Sequence, residues 1–336
     1  MRPIFDPMLV NGPFGDPGLY LDFRFERRAL LFDLGDLAAL PPKKLLRVSD
    51  VFVSHTHMDH FAGFDRLLRV CLGRDTAARL YGPPGFIERV AHKLDAYTWN
   101  LVENYPTDFT IEAWEIDPDE RVRGARFRCH ARFRREPLED RQAPAGVLLD
   151  ESAFRVRAAL LDHQTPCLAF AVEEKTHVNV WKNRLAELGL PTGPWLKDLK
   201  EAVTRGDPDD TPVRAGWRDR HGTHERHFAL GELKRRVLQL VPGEKICYVT
   251  DVVYHEENAG RIAALAQGAE LLFIECVFLD EDAGQAARKF HLTARQAGCI
   301  ARAAHARTVV PFHFSPRYLE REQELRAELE GARAGQ

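Results

Sequence analysis

The stretch VFVSHTHMDHFAGFD, residues 51–65, places four side chains that can bind a metal directly behind an apolar run. These side chains are His55, His57, Asp59 and His60. The apolar residues 51–53 predict a β-strand, and the loop after it can direct the imidazoles and the carboxylate toward one point. Since imidazole and carboxylate groups suit Zn²⁺, the stretch predicts a metal centre at the end of a strand.

The composition is that of an ordinary soluble globular protein, with 336 residues, 45% of them hydrophobic and 29% charged. No apolar run approaches the roughly 20 residues that a membrane span needs, so we expect no membrane association. The six cysteines contain no C-x-x-C pair, and no secretory signal is legible, so we expect a cytoplasmic protein with reduced thiols. The net charge of −3 argues against indiscriminate coating of nucleic acid, although a local basic patch can still bind phosphates.

Three more predicted strands end in a residue that can bind a metal: His163, Asp251 and His313. Helical segments alternate with these strands, and this order predicts an α/β fold. Open α/β proteins place their ligand sites at the carboxyl ends of the strands, so the four strand ends are expected to meet. No internal repeat and no separable second domain is legible, and residues 1–336 are expected to form a single domain.

Residues 173–227 are the least regular part of the chain, rich in Pro, Gly and Asp. A long polar segment inside a compact domain is usually either a functional arm or a disordered insert. We expect an inserted arm over this range.

Seven arginines lie between Arg121 and Arg135, in the run RVRGARFRCHARFRR. Guanidinium groups match phosphate oxygens, so this run could face a nucleic acid. The favoured interpretation is different: the arginines form the solvent face of an edge strand and keep it soluble.

Motifs in several parts of the chain resemble those of the ribonuclease Z family, the tRNA 3′-processing endonucleases of the metallo-β-lactamase fold. They are SHTHMDH, LLDHQTPCLAFAVEE around His163, VTDVVY around Asp251, AELLFIECVF around Glu275, HLTARQAGCIA from His291 and PFHFSPRY around His313. The resemblance extends from about residue 32 to residue 318. It implies a four-layer αββα sandwich. It also implies a protruding flexible arm, because LAELGLPTGPWLKDLK is similar to the arm with which this family binds the tRNA elbow.

The resemblance also implies a dizinc site, with Mn²⁺ or another divalent metal as an alternative. Its implied ligands are His55, His57 and His163 for one ion, Asp59, His60 and His313 for the other, and Asp251 as the bridge. Asp59 would also orient or deprotonate the nucleophile. His291, supported by Glu275, would protonate the departing 3′ oxygen, since a His–carboxylate pair suits general-acid catalysis near neutral pH. A buried structural carboxylate is the alternative for Glu275.

Substrate contacts follow from the same resemblance. Ser315 and Arg317 are expected to contact oxygens of the scissile phosphate, although Arg317 could equally pair with a surface acid. Gly193 and Pro194 would contact the tRNA from the arm. The implied partners are RNA, most plausibly a precursor tRNA, and a second copy of the chain in a homodimer.

The sequence therefore predicts a dizinc phosphodiesterase that cleaves tRNA precursors at the 3′ end. The chain departs from the family pattern outside the metal ligands: the family's N-terminal Leu-Gly-Thr-Gly strand is absent, and Ile274 stands where a histidine is expected. A related hydrolase that acts on small phosphodiesters, cyclic nucleotides or lactones is the alternative.

Overall fold

The computed structural model describes residues 4–175, 177–219, 222–241 and 243–336. The chain divides into two compact units. One unit comprises the residues up to Leu149, Val156–Val172 and Lys245–Gln336, and the other comprises Asp150–Arg155 and Glu173–Glu244. The second unit thus contains the range 173–227, for which an arm is expected, and continues to Glu244.

The strands of the described residues are, in chain order, β1 (Phe5–Leu9), β2 (Leu19–Phe23), β3 (Ala29–Phe32), β4 (Val48–Phe52), β5 (Ala77–Gly82), β6 (Thr110–Ile116), β7 (Arg121–Arg128), β8 (Arg135–Gln142), β9 (Val147–Asp150), β10 (Phe154–Asp162), β11 (Pro166–Glu174), β12 (His177–Val180), β13 (Pro212–Asp219), β14 (Gly222–Ala229), β15 (Leu238–Val241), β16 (Lys245–Val249), β17 (Leu271–Glu275) and β18 (Thr308–Phe312). Strands β1 to β8 form one sheet in that order, and a second sheet has the order β18-β17-β16-β11-β10-β9. The strands that carry the metal loop and its neighbours, β3 to β6, are parallel, as are β16 to β18.

The α-helices of the same residues are α1 (Pro42–Leu45), α2 (Met58–Phe61), α3 (Phe64–Cys71), α4 (Phe86–Asp95), α5 (Lys182–Glu187), α6 (Trp195–Arg205), α7 (Leu230–Val237), α8 (Glu256–Leu265), α9 (Ala283–Lys289), α10 (Ala294–Ala303) and α11 (Glu322–Ala334). None of these helices has both the length and the apolar character needed to cross a membrane. The expected alternation of strands and helices is confirmed.

Alternate residues of the strands face two different layers, because successive side chains of a strand point to opposite sides. Between the two sheets, the rings of Phe32 and Phe52 stack with centroids 5.0 Å apart, and each lies 5.6 Å from the ring of Phe170 on the second sheet. The adjacent residue Val51 is buried on the other face, where β4 packs against helices. The first unit is therefore built as helix, sheet, sheet and helix layers.

Helices cover the outer face of each sheet in this unit. Apolar residues of α3 and α4 pack on the first sheet, and apolar residues of α8, α10 and α11 pack on the second. Each sheet and its helices thus enclose an apolar core. Val51 and Leu80 are buried in the core of the first sheet, and Val249 and Leu272 in that of the second. These layers are the αββα arrangement that the resemblance implies.

The arginine-rich run does not form an edge strand. Strand β7 lies between β6 and β8, so β8 is the edge of the sheet. Six of the seven arginines pair with an acid, and the acids are Asp140, Glu115 with Asp117, Glu112, Glu136, Glu103 and Glu88. The prediction of an edge strand is wrong, because β8 pairs with the side of β7 that does not contact β6. Acids of β6 and β8 pair with the four arginines on β7. This pairing also leaves little free charge for a phosphate.

The second unit has an apolar core of its own. Trp195 and Leu199 of α6, Phe228 of β14 and Leu233 of α7 are all buried in it. Strands β13 and β14 form an antiparallel hairpin over Pro212–Asp219 and Gly222–Ala229. The described residues of the second unit therefore bury apolar side chains in a core of their own, which a disordered insert does not.

Two glycines hold the metal-binding loop against the turn that follows β3. Gly63 donates its backbone N–H to the carbonyl of Leu34 at 2.7 Å, and Leu34 donates to the carbonyl of His60 at 2.8 Å. A Cβ atom on Gly35 would lie 2.7 Å from the backbone oxygen of Asp59 and 2.5 Å from that of Pro17. Because backbone atoms cannot move aside cheaply, only glycine fits at position 35.

We expect Gly35→Ala to destabilise the protein by about 1–3 kcal/mol, the usual cost of overpacking, and to weaken metal binding because it displaces Asp59. The measurement is the thermal midpoint of the metal-free protein together with a metal titration. Gly12→Ala is the matched control, since no atom lies within 4 Å of its added Cβ. Equal effects of the two substitutions would contradict the close-packing explanation.

Candidate metal centre

The predicted ligands arrive from the carboxyl ends of strands in the first unit. His163 follows β10 directly, His313 follows β18 directly, and Asp251 lies two residues beyond β16. Asp251 and His313 adopt left-handed backbone conformations, with φ of 39° and 58°. Such a conformation ends the strand sharply and turns the next side chain out of the sheet, at a cost in backbone strain.

One group of ligand atoms comprises His55, His57, His163 and Asp251, whose donor atoms all lie within 4.8 Å of one another. Asp251 Oδ2 is 3.4 Å from His163 Nε2 and 3.6 Å from His55 Nε2. The structure therefore brings together the four residues that the resemblance assigns to the first metal and the bridge.

A second group comprises Asp59, His60 and His313. Asp59 Oδ2 is 3.5 Å from both His60 Nε2 and His313 Nε2. The other oxygen of Asp251, Oδ1, lies 3.3 Å from His60 Nε2 and 2.9 Å from His313 Nδ1. Asp251 thus presents one carboxylate oxygen to each group, which is the arrangement that a bridging ligand needs.

The histidines are held by hydrogen bonds from their second ring nitrogens. His60 Nδ1 lies 2.8 Å from Asp33 Oδ2, and His163 Nδ1 donates to the backbone oxygen of Phe290 at 2.8 Å. His55 Nδ1 is 3.1 Å from the hydroxyl of Ser54. A proton on Nδ1 leaves the Nε2 lone pair free, and metal-binding histidines are commonly oriented in this way.

The buried nitrogens fit a metal ion. Nε2 of His55 and Nε2 of His60 are buried and have no hydrogen-bond partner among the described residues. A buried polar atom without a partner is costly, and nitrogen with oxygen donors at this spacing would be satisfied by a divalent cation. The donor set supports a divalent metal site.

The electrostatics favour the ligand forms of His55 and Asp251. Burial alone would lower the pKa of His60 and of His313, but the nearby carboxylates raise both. Burial lowers the pKa of His55 to about 2, so its imidazole is neutral. Burial alone would raise the pKa of Asp251, but the charges of His60 and His313 hold it well below its usual value, so the carboxylate is ionised. Neutral imidazole and ionised carboxylate are the forms that bind metals.

Glu275 and His291 form a hydrogen-bonded pair beside both groups. Glu275 Oε2 accepts from His291 Nδ1 at 2.8 Å, and Oε1 accepts the backbone N–H groups of Val252 and Leu292 at 3.0 and 3.1 Å. Burial alone would lower the pKa of His291, but the Glu275 carboxylate raises it. Glu275 therefore combines the two alternatives considered from sequence: it is a buried structural carboxylate, and it orients His291.

The four residues expected to contact the substrate lie in both units: Ser315 and Arg317 in the first, and Gly193 and Pro194 in the second. Ser315 is partly buried, and its backbone N–H donates to the carbonyl of Val277 at 3.1 Å. Arg317 pairs with the acid Asp282 at 3.1 Å, which is the alternative that the sequence left open. Gly193 and Pro194 precede α6 in the second unit.

Asp33 is a further residue of the centre that was not singled out from the sequence. Its fully buried carboxylate accepts hydrogen bonds from the backbone N–H of Ser54 at 2.6 Å, the hydroxyl of Ser54 at 2.8 Å and the hydroxyl of Tyr248 at 2.9 Å. Together with the hydrogen bond between Asp33 and His60, these contacts hold Ser54, the first residue of the metal-binding loop, in place. The sequence did contain a sign of this role, because Asp33 directly follows the apolar strand β3. The same kind of pattern, an apolar run that ends in an acid, identified Asp251.

The fold and the site define a metal-dependent hydrolase of the β-lactamase superfamily. The model of this family, described as "Beta-lactamase superfamily domain", matches residues 24–178 and 215–314. Ribonuclease Z of Deinococcus radiodurans is 34% identical over 91% of this chain and 87% of its own length, and that of Brevibacillus brevis is 29% identical over 90% and 80%. Within the superfamily, the chain belongs to the ribonuclease Z family.

A solved structure shares the fold. Human tRNase Z, short form, aligns over 93% of this chain and 93% of its own, with a TM-score of 0.53 and 18% sequence identity. At this identity the likeness concerns the fold alone, and it agrees with the layer arrangement described above.

We expect Asp33→Ala to lower metal affinity about 10- to 100-fold and to destabilise the metal-free protein by on the order of 3 kcal/mol, because it leaves buried donors unpaired. Tyr248→Phe removes a single hydroxyl from the same carboxylate and should have a much smaller effect on metal binding. Metal content and thermal midpoint measure both effects. A normal metal content in the Asp33 variant would show that His60 does not need this partner.

Proposed function

We propose that the chain is a metal-dependent endoribonuclease that cleaves tRNA precursors at the 3′ end, with two Zn²⁺ ions as its cofactors. The observation that carries this proposal is the convergence of the seven candidate ligands into two groups of donor atoms, with one oxygen of Asp251 facing each group. Membership of the ribonuclease Z family supports the choice of substrate.

The candidate ligands would hold the two ions as follows: His55, His57 and His163 for one, Asp59, His60 and His313 for the other, and Asp251 between them. Bound there, divalent cations supply Lewis acidity toward a water molecule and neutralise phosphodiester charge. Asp59 orients the attacking water and accepts its proton. The side chain of Asp59 is 42% exposed, so it can reach a substrate that approaches from solvent.

The leaving group receives its proton from His291. As the water oxygen bonds to phosphorus, the bond from phosphorus to the 3′ oxygen breaks, and His291 Nε2 donates a proton to that oxygen. Nδ1 is held by Glu275, so Nε2 is the nitrogen left for the substrate. The raised pKa of His291 favours the protonated form that a general acid needs.

The second unit is proposed to be the arm that binds the tRNA away from the reaction. A cleft of about 1090 Å³ in this unit is lined by Lys182, Lys197 and Lys200 among others, and its basic side chains suit a phosphate backbone. Gly193 and Pro194 line a separate cavity of about 550 Å³. They are the proposed tRNA contacts of the arm.

Two further proposals accompany the function. The protein acts as a homodimer, in which the arm of one subunit reaches RNA held by its partner. It acts in the cytoplasm, a placement supported by six cysteines that are all free thiols.

A defined precursor tRNA with added Zn²⁺ or Mn²⁺ tests the proposed function. We expect a tRNA with a 3′ hydroxyl and a trailer with a 5′ phosphate, and no product after the metal is removed with a chelator. Readdition of the metal should restore cleavage. An intact precursor under conditions in which a simple phosphodiester is hydrolysed would refute the tRNA assignment.

The roles assigned to His291 and Asp251 predict different losses. His291→Ala should keep the metal content and lower the cleavage rate about 10²- to 10⁴-fold, the usual contribution of general acid–base catalysis. Asp251→Ala should lose metal as well as activity, because it removes a ligand atom from both groups. Metal analysis and single-turnover cleavage separate the two. Normal cleavage by both variants would overturn the assignments.

The location of the candidate ligands suggests a test of the alternative function. All of them lie in the first unit, so that unit could hydrolyse small phosphodiesters without the arm. Residues 175–243 can be replaced by a short linker, because Glu174 donates its backbone N–H to the carbonyl of Glu244 at 2.8 Å. We expect the shortened protein to hydrolyse bis(4-nitrophenyl) phosphate and to lose precursor cleavage. Retained precursor cleavage would remove the role of the arm.

A further inference from the structure

A cavity of about 420 Å³ opens beside the metal centre. Its lining includes the histidines of the centre, His57, His163 and His291, and the consecutive residues Arg288, Lys289 and Phe290. The remaining lining residues of this cavity are uncharged, and no acid contributes to it. The cavity therefore joins the reacting groups to a short basic and aromatic segment for which no role has been assigned.

Arg288 and Lys289 have no acidic partner within the described part of the chain. Both are exposed, and they end α9. The nearby Arg317 and Arg321 are paired with Asp282 and Glu281 instead. The charge of the two cations at the cavity is thus available to an anion from solvent.

Phe290 ties this segment to the metal centre. Its backbone is left-handed, with φ of 62°, and its carbonyl oxygen accepts the hydrogen bond of His163 Nδ1 at 2.8 Å. The ring stands perpendicular to that of His163, with centroids 6.5 Å apart, and is only partly buried. His291 donates its backbone N–H to Ala286 of α9 at 3.0 Å, so the helix end is fixed on both sides of Phe290.

We propose that Arg288, Lys289 and Phe290 form a subsite for the nucleotide whose 3′ oxygen departs. The cations pair with the phosphate on the 5′ side of that nucleotide, and the Phe290 ring stacks on its base. Aromatic stacking and cationic contacts are the usual means of binding an unpaired nucleotide. The assignment to the leaving side rests on the proposed function, because the general acid His291 lines the same cavity.

A purely structural role for the two cations is the simplest competing explanation. Basic residues in the last turn of a helix interact favourably with its dipole. That role predicts a lower thermal midpoint on substitution and no change in RNA affinity. It does not account for the absence of an acid from the cavity.

The test uses the full-length metal-loaded protein with the double substitution Arg288→Gln and Lys289→Gln, and separately Phe290→Leu. Phe290→Leu keeps an apolar side chain and the carbonyl that holds His163, but removes the aromatic face. Arg69→Gln is the matched control, since Arg69 is an exposed arginine in the last turn of α3. Metal content and thermal midpoint are measured for each protein.

Three readouts are compared: KM and kcat for precursor tRNA, hydrolysis of bis(4-nitrophenyl) phosphate, and binding of a short single-stranded RNA with a free 3′ hydroxyl. We expect the double variant and Phe290→Leu each to weaken RNA binding and raise KM about tenfold or more. The salt dependence of RNA binding should fall by about 0.7 in log–log slope for each cation removed. Hydrolysis of the small phosphodiester and all properties of the Arg69 control should be unchanged.

The outcomes separate this proposal from the proposed function. Unchanged RNA binding and KM in both variants, with normal precursor cleavage by the wild type, would overturn the subsite and leave the function standing. Failure of the wild type to cleave the precursor, with weaker RNA binding in the variants, would overturn the tRNA assignment and leave a nucleotide subsite. A loss of small-phosphodiester hydrolysis equal to the loss on RNA would show that the segment merely supports the metal centre.

Discussion

The buried carboxylate of Asp251 is the constraint on which the rest of the site depends. Its two oxygens face different groups of imidazoles, at 3.4 and 3.6 Å on one side and 2.9 and 3.3 Å on the other. An ionised carboxylate is costly to bury without compensating positive charge. The strands, turns and loops around it are arranged so that imidazoles surround one point, and the charges of His60 and His313 hold the pKa of Asp251 well below its usual value.

The backbone around the centre carries strain that these interactions offset. Asp33, Asp251 and His313 each follow a strand end in a left-handed conformation, with φ of 56°, 39° and 58°. Non-glycine residues adopt this conformation rarely, and they tend to do so where the surroundings compensate for it. Here, Asp33 is held by hydrogen bonds to Ser54, His60 and Tyr248. Asp251 and His313 are held by contacts among the candidate ligands, including their own contact at 2.9 Å. Precise placement of side chains at the carboxyl edge of both sheets is the result.

Local patterns predicted the α/β order and the strand ends that carry residues able to bind a metal: apolar strands followed by His or Asp. The four layers and the assignment of ligands to two ions were predicted from the resemblance to the ribonuclease Z family. The sequence missed Asp33, since an acid after β3 looks like an ordinary turn until His60, Ser54 and Tyr248 are seen to meet it. It also misplaced the arginine-rich strand, because strand order is a non-local property. Four of the acids that neutralise these arginines lie on β6 and β8, and the register of these strands cannot be read from composition.

The placement of unpaired cations matters more for RNA than their number. The chain has 47 basic side chains and a net charge of −3, and the densest basic run is nearly neutralised by its neighbours. In the first unit, Arg288 and Lys289 are left free beside the reacting groups, and in the second unit, Lys182 and Lys200 line a cleft without an acidic partner in the described residues. A polyanion is attracted most strongly where positive charge is not already compensated. Local pairing neutralises much of the arginine-rich strand β7, so the unpaired cations beside the metal centre and in the cleft of the second unit would attract a polyanion more strongly than that strand.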